Sequence, residues 1–184
     1  MNKSTSSMQR NLVKIIAVFI FLVSIAFKPG VLTRRTILND KVQLLLPEDF
    51  VPMDKSTLDI KYPRAGNRPT LVYTNKNASV NIAFNLTAQP LDQTQLPQLQ
   101  KQLTTQISSI PGSQLLKNEI KELNGSKVTL IEFMSQAINS KIYNIMFVTV
   151  VGGKAMIGSF NCTEKEVPEW KPVSKQIVES IKLL

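Results

Sequence analysis

Residues 126–162 constrain the fold of this chain more than any other stretch. They read SKVTLIEFMS, QAINS, KIYNIMFVTV, VGG and KAMIGSFNC, three runs rich in β-branched and aromatic residues parted by Asn139-Ser140 and Gly152-Gly153. Punctuation of that kind reverses a chain into an antiparallel neighbour, so the stretch predicts a three-stranded meander. In the middle run the period of two places Tyr143, Ile145 and Phe147 on one face, and Ile142, Met146, Val148 and Val150 on the other. Both faces are apolar, and a strand of that type lies inside a sheet covered on each side.

The flanking sequence supplies the rest of the sheet and its cover. Lys41–Leu46 predicts a strand stopped by Pro47, and Asp54–Ile60 a short helix capped by Asp54 or Ser56, with Met53, Leu58 and Tyr62 as its apolar contacts. Thr70–Thr74 and Ser79–Leu86 predict two further strands; in the second, Val80, Ile82 and Phe84 alternate with polar residues. From Gln89 to Ile110 the period changes: Leu96, Leu99, Leu103, Ile107 and Ile110 recur at three and four, a helix stripe entered through an Asp92/Gln95 capping box and stopped by Pro111-Gly112. Gln114–Leu123 returns to strand and reaches the meander through Asn124-Gly125, the strongest hairpin signal in the chain. The last segment, from Thr163, predicts a helix entered by a Thr163/Glu166 capping box, with Trp170, Val173, Ile177, Ile181 and Leu184 as its buried stripe. A lone tryptophan at stripe spacing reads as core rather than as a ligand-stacking ring.

Composition excludes several chemistries. Histidine is absent and Cys162 is the sole cysteine, which removes internal disulfides, Cys/His zinc sites, catalysis that relies on an imidazole base, and haem held by histidine. The net charge of +9 includes Lys3, Arg10 and Lys14 of an acid-free leader, and the remaining +6 is spread along the chain. Without a basic run interleaved with aromatics, nucleic acid is not an expected partner.

The leader has its own logic. Residues 1–14 are basic and Ser-rich, and Ile15–Phe27 is uncharged and apolar, short of the roughly 20 residues that span a bilayer. This pattern suits a secretory signal peptide over residues 1–26, with Ser24 and Ala26 at the small-residue positions and cleavage after Ala26. An uncleaved signal anchor is the alternative; the domain is exported either way, touching the membrane only through that segment. Residues 27–40 read as a linker, Arg34 and Arg35 included, before a domain at 41–184.

Candidate site residues are few. Lys61, Arg64 and Arg68 form the densest positive charge after the leader, a candidate partner or anion contact, against a solvated connection stiffened by Pro63 and Pro69. Glu132 stands in an apolar strand; buried it becomes a candidate titrating group, and at a strand edge it faces water. Asp49, Asp54 and Asp59 lack the alternation and glycine of a calcium loop. The sequons at Asn77, Asn85, Asn124 and Asn161 matter only in a glycosylating pathway. No catalytic, cofactor-binding or metal-binding residue is assigned.

A strand ending LLLPEDF, a short helix, an Arg-Pro loop, a long helix, an Asn-Gly hairpin and a closing FNC…W…SIKL segment together resemble the PsbP-like superfamily, in particular its bacterial DcrB-like branch. The likeness spans Lys41 to Leu184. It implies an α+β fold: a three-layer α/β/α sandwich with a mostly antiparallel sheet of about six or seven strands, preceded here by the signal or anchor helix. It also implies a non-enzymatic role without cofactors, as an accessory or partner-binding domain of the bacterial cell envelope. The alternative is a chaperone or immunity-like protein shielding a hydrophobic helix of a secreted partner, which requires Tyr143, Ile145 and Phe147 to be uncovered. Histidines that bind metal in plant relatives, and the lipidated cysteine of envelope relatives, have no counterparts in this sequence.

Overall fold

The computed structural model describes residues 30–64, 66 and 68–184; the expected signal segment and its cleavage point at Ala26 lie outside the described residues. Among the described residues, ten strands and three α-helices follow one another as β1 (Leu32–Ile37), β2 (Val42–Pro47), β3 (Val51–Pro52), α1 (Lys55–Lys61), β4 (Leu71–Thr74), β5 (Asn81–Pro90), α2 (Leu96–Ser108), β6 (Gln114–Leu123), β7 (Ser126–Gln136), β8 (Lys141–Val151), β9 (Lys154–Thr163), α3 (Val167–Glu179) and β10 (Lys182–Leu183). A seven-stranded sheet has the order β3-β4-β5-β9-β8-β7-β6, and a three-stranded sheet the order β1-β2-β10. Neighbouring strands are antiparallel throughout both sheets. The expected meander is present as β7-β8-β9, with Glu132 opposite Ile145 and Phe147 opposite Gly158.

Alternation along the strands assigns the two faces. On one, Val80, Ile82, Phe84, Leu130, Tyr143, Ile145, Phe147, Phe160 and Cys162 pack beneath Trp170, Val173, Ile177 and Val178 of α3 and Val42, Leu44 and Leu46 of β2. Trp170 stands 5.3 Å from the Phe50 ring and 6.2 Å from the Phe160 ring, so it is core, as its spacing predicts. Burying a side chain of this class contributes roughly 1.5–3 kcal/mol, which makes α3 the main clamp on this face. On the other face, Leu96, Leu99, Leu103 and Ile107 of α2 cover Val148, Ala155, Ile131 and Phe133, while Leu58 and Tyr62 bring α1 against Met53, Val72 and Ala83. The result is an α+β three-layer sandwich in which the small sheet shares a layer with α3.

Several expectations are corrected. Residues 27–40 are not all linker, because Leu32–Ile37 forms β1 along β2, and the chain reverses through Leu38, Asn39 and Asp40 at φ of 55, 54 and 60°. The helix expected over Gln89–Ile110 is shorter at both ends: β5 runs to Pro90 and a 3-10 turn at Gln93–Gln95 carries the Asp92/Gln95 capping box, while the helix stops at Ser108 and leaves Ile110 exposed rather than in the stripe. The closing helix stops at Glu179; Lys182–Leu183 pairs with Gln43 and Val42, which buries Ile181 outside the helix and leaves Leu184 exposed. Tyr143, Ile145 and Phe147 are at most 2% exposed, so the face on which the helix-shielding alternative depends is already covered.

A lysine-rimmed candidate binding cleft

The register of β6, β7 and β8 gathers charge at one margin of the α3-covered face. Glu132 lies opposite Ile145, and a register shift between Leu115 and Lys117 sets Lys117 opposite Glu132, Glu119 opposite Leu130 and Lys121 opposite Val128. On α3, Lys171 and Lys175 are one turn apart and both reach down to Glu132, at 3.6 and 3.5 Å. Leu130, Ile145 and Val178 form the apolar part of the lining, and Lys117, Glu119, Lys121, Glu132, Lys175 and Glu179 the charged part, of a cleft of about 140 Å³.

Glu132 is 6% exposed, which corrects the reading of it as a strand-edge residue facing water. It is buried because α3 crosses above it and β6 adds one more strand beyond it. Its Oε2 accepts from the Tyr143 hydroxyl at 3.0 Å, and the Lys171 ammonium lies 5.4 Å from the centre of the Tyr143 ring. A carboxylate taken from water survives only with partners, and this one has a phenol and two ammoniums. Glu119 sits 2.8 Å from Lys117 and 3.4 Å from Lys121, and Lys121 also reaches Glu179 at 3.5 Å. The Lys117 ammonium holds the Glu119 carboxyl below the usual range, and Glu119 in turn raises Lys117. Burial, reinforced by the Glu132 carboxylate, raises the Tyr143 phenol well above its ordinary value.

This fold recurs in solved structures of low sequence identity. PsbP (CyanoP) from Synechocystis is 14% identical, with 83% of this chain and 92% of that one covered at a TM-score of 0.56. The fold is PsbP-like. LpqN, involved in cell envelope biogenesis of Mycobacterium tuberculosis, gives 14% identity over 83% of this chain and 90% of its own at a TM-score of 0.55. The Ran-binding protein Mog1p of Saccharomyces cerevisiae gives 9% over 84% and 96% at 0.50. No family model and no curated protein matches the sequence.

Within the PsbP-like frame, the residues singled out from sequence other than Glu132 and Ile145 fall elsewhere than the cleft. Lys61 ends α1 and donates to the Ala78 carbonyl at 2.6 Å, and burial lowers its pKa. Arg68 pairs with Asp59 at 2.8 Å and donates to the Tyr62 carbonyl, while Arg64 is exposed. Asp54 caps α1 by accepting from the Thr57 amide at 3.0 Å, and Asp59 also pairs with Lys55, so these two acids serve the helix. Among the described residues no three His, Cys, Asp or Glu side chains group as a metal site. Asn161, one of the sequon positions, accepts from the Asn81 amide at 3.1 Å. Of the charged lining of the cleft, sequence reasoning singled out Glu132 alone. The Lys-x-Glu-x-Lys alternation of 117–121 and the Lys171/Lys175 pair were legible signals, but only tertiary structure brings them to one place.

Proposed function

We propose that this chain is an exported, non-catalytic accessory domain of the bacterial cell envelope that works by binding a partner protein. The observation that carries the reading is a set of exposed aliphatic side chains at one end of the large sheet: Ile110, Leu115, Leu116 and Ile138 are 48, 40, 43 and 98% exposed. Leu115 and Leu116 belong to β6, the last strand of its sheet, and the β7–β8 turn that bears Ile138 stands at the same end. Single exposed leucines are ordinary, whereas several beside a strand edge that no other described strand pairs are what a partner covers. The basic segment Lys61, Arg64 and Arg68 is a second contact in this reading, with Lys61 and Arg64 its exposed members.

Export rests on the basic, apolar leader with small residues at Ser24 and Ala26. The likeness in fold to LpqN, a protein of envelope biogenesis, agrees with that location. A non-catalytic role rests on the chemical inventory. There is no histidine, and burial pushes the Cys162 thiol up to about 12, so the only sulfur nucleophile stays protonated at neutral pH.

The test is expression of the full chain with a photo-crosslinking residue at Leu116 and, as control, at Gln98 on α2. The expected result is protein in the envelope or periplasmic fraction, beginning at Phe27 if the leader is cleaved, with a discrete crosslinked partner from Leu116 only. Cytoplasmic protein that yields the same crosslinks from both positions contradicts the proposal.

A further inference from the structure

The cleft between β6, β7 and α3 is built to read two opposite charges at once. Glu132 lies at its buried end; of its two oxygens, Oε2 takes the Tyr143 hydroxyl, while Oε1 has the Lys175 ammonium at 3.5 Å, beyond hydrogen-bond distance. Lys117 stands directly across the ladder from Glu132, yet its ammonium turns along its own strand to Glu119 at 2.8 Å. Lys175 is 44% exposed in its side chain, so it can swing aside without unpacking α3. An acceptor oxygen therefore faces the cleft beside ammoniums that can be recruited, above the apolar surface of Leu130, Ile145 and Val178.

The charge pattern selects the ligand. A simple cation meets Lys117, Lys121 and Lys175; a simple anion meets Glu119, Glu132 and Glu179. A molecule that carries an ammonium and a carboxylate on one carbon satisfies both sets and adds no net charge. The size agrees: the cleft is about 140 Å³, and a cavity of ~150 Å³ holds a benzene-sized molecule. We infer that the cleft binds a small free α-amino acid with a short aliphatic side chain. Its ammonium donates to Glu132 Oε1, its carboxylate accepts from Lys117 and Lys175, and its side chain lies on Leu130, Ile145 and Val178. The cleft begins at Lys117, next to Leu116 in β6, but its lining includes none of the exposed aliphatic side chains, and the inference holds whether or not a protein docks on them.

The test is calorimetric titration of the purified full chain with L-alanine and L-valine, and with two truncated probes: isovalerate, which lacks the amine, and isobutylamine, which lacks the carboxylate. The expected result is saturable binding of at least one amino acid, with each truncated probe weaker by about tenfold or more. Glu132→Gln, which keeps an acceptor for Tyr143, weakens the amino acid about tenfold and leaves isovalerate unchanged. Lys117→Met weakens the amino acid and isovalerate together. Silence of both amino acids at millimolar concentration, with the domain folded by its tryptophan emission, overturns the inference. So does isovalerate binding as tightly as L-valine, which makes the cleft an anion site.

Discussion

The Tyr143 hydroxyl donates to Glu132 Oε2 across 3.0 Å, joining β8 to β7 on the face that α3 covers. The phenol is fully buried, so its hydroxyl cannot turn to water in exchange, and the carboxylate is nearly so. Tyr143→Phe removes the donor and leaves the charge short of a partner, at a cost of about 2 kcal/mol in urea denaturation. The same contact has a pH signature. Burial raises the phenol in the folded state, so its contribution is complete below about pH 10, the ordinary tyrosine range, and is lost as pH rises through the folded value. Urea midpoints of the parent and Tyr143→Phe proteins are expected to converge as the pH climbs above 10; parallel curves would show that the phenol does not titrate with folding.

Gly158 lies opposite Phe147 in the β8–β9 ladder, and a Cβ built at that glycine overlaps the Phe147 ring. The ring cannot retreat freely, because it is fully buried and packs edge-on against Phe84 with centroids 6.2 Å apart. Gly158→Ala is expected to cost about 2 kcal/mol or more by overpacking. Phe147→Leu, itself destabilising, frees that space, so the double variant should be less unstable than the two single effects added. Additive losses in thermal or urea unfolding contradict the close approach.

Cys162 packs with the Tyr143 and Phe160 cluster and is 1% exposed. Burial pushes its thiol up to about 12, with Glu166 and Glu169 adding repulsion of the thiolate. Folded protein at pH 8 should therefore leave a disulfide exchange reagent unreacted over the time in which urea-unfolded protein gives one equivalent. Fast labelling of the folded chain would place the thiol at the surface.

How far the fold is legible in the sequence depends on the range of the interaction. The meander, the Asn124-Gly125 turn, both capping boxes and the α2 stripe from Leu96 to Ile107 are written in neighbouring residues, and the structure has them; only Ile110 falls outside the stripe. The ends of elements are set from further away. Regular spacing carries the last helix to Leu184, but the helix ends at Glu179, and the Ser180 hydroxyl accepts from the Leu45 amide at 2.8 Å, a contact 135 residues apart. Leu32–Ile37 reads as linker because Arg34 and Arg35 blur its alternation; pairing with β2 makes it a strand, and Arg34 then donates to Gln43 at 2.8 Å. Glu132 is the same problem at the site. Whether a glutamate in an apolar strand meets water depends on which strand is the edge, and only the placement of β6 and α3 decides that.

The hairpin that brings β6 to β7 is tied to the end of the chain. Asn124 has φ of 49° and Gly125 80°, the left-handed pair that a two-residue antiparallel turn demands. The Asn124 amide also donates to the Ile181 carbonyl at 2.7 Å, holding the segment after α3 against the turn. Asn124→Ala loses a residue tolerant of positive φ and a hydrogen bond, and should cost about 1–2 kcal/mol. Asn124→Gly keeps the turn geometry and loses only the side-chain bond, so it should cost about 1 kcal/mol or less. Hydrogen exchange separates the two contributions. In Asn124→Gly the amides of Ile181 to Leu184 should exchange faster while those of β6 and β7 keep their protection, because the turn still forms and only the anchor of β10 is gone. Equal loosening of the hairpin in both variants would mean that the bond to Ile181, rather than the backbone conformation, sets the register on which the cleft depends.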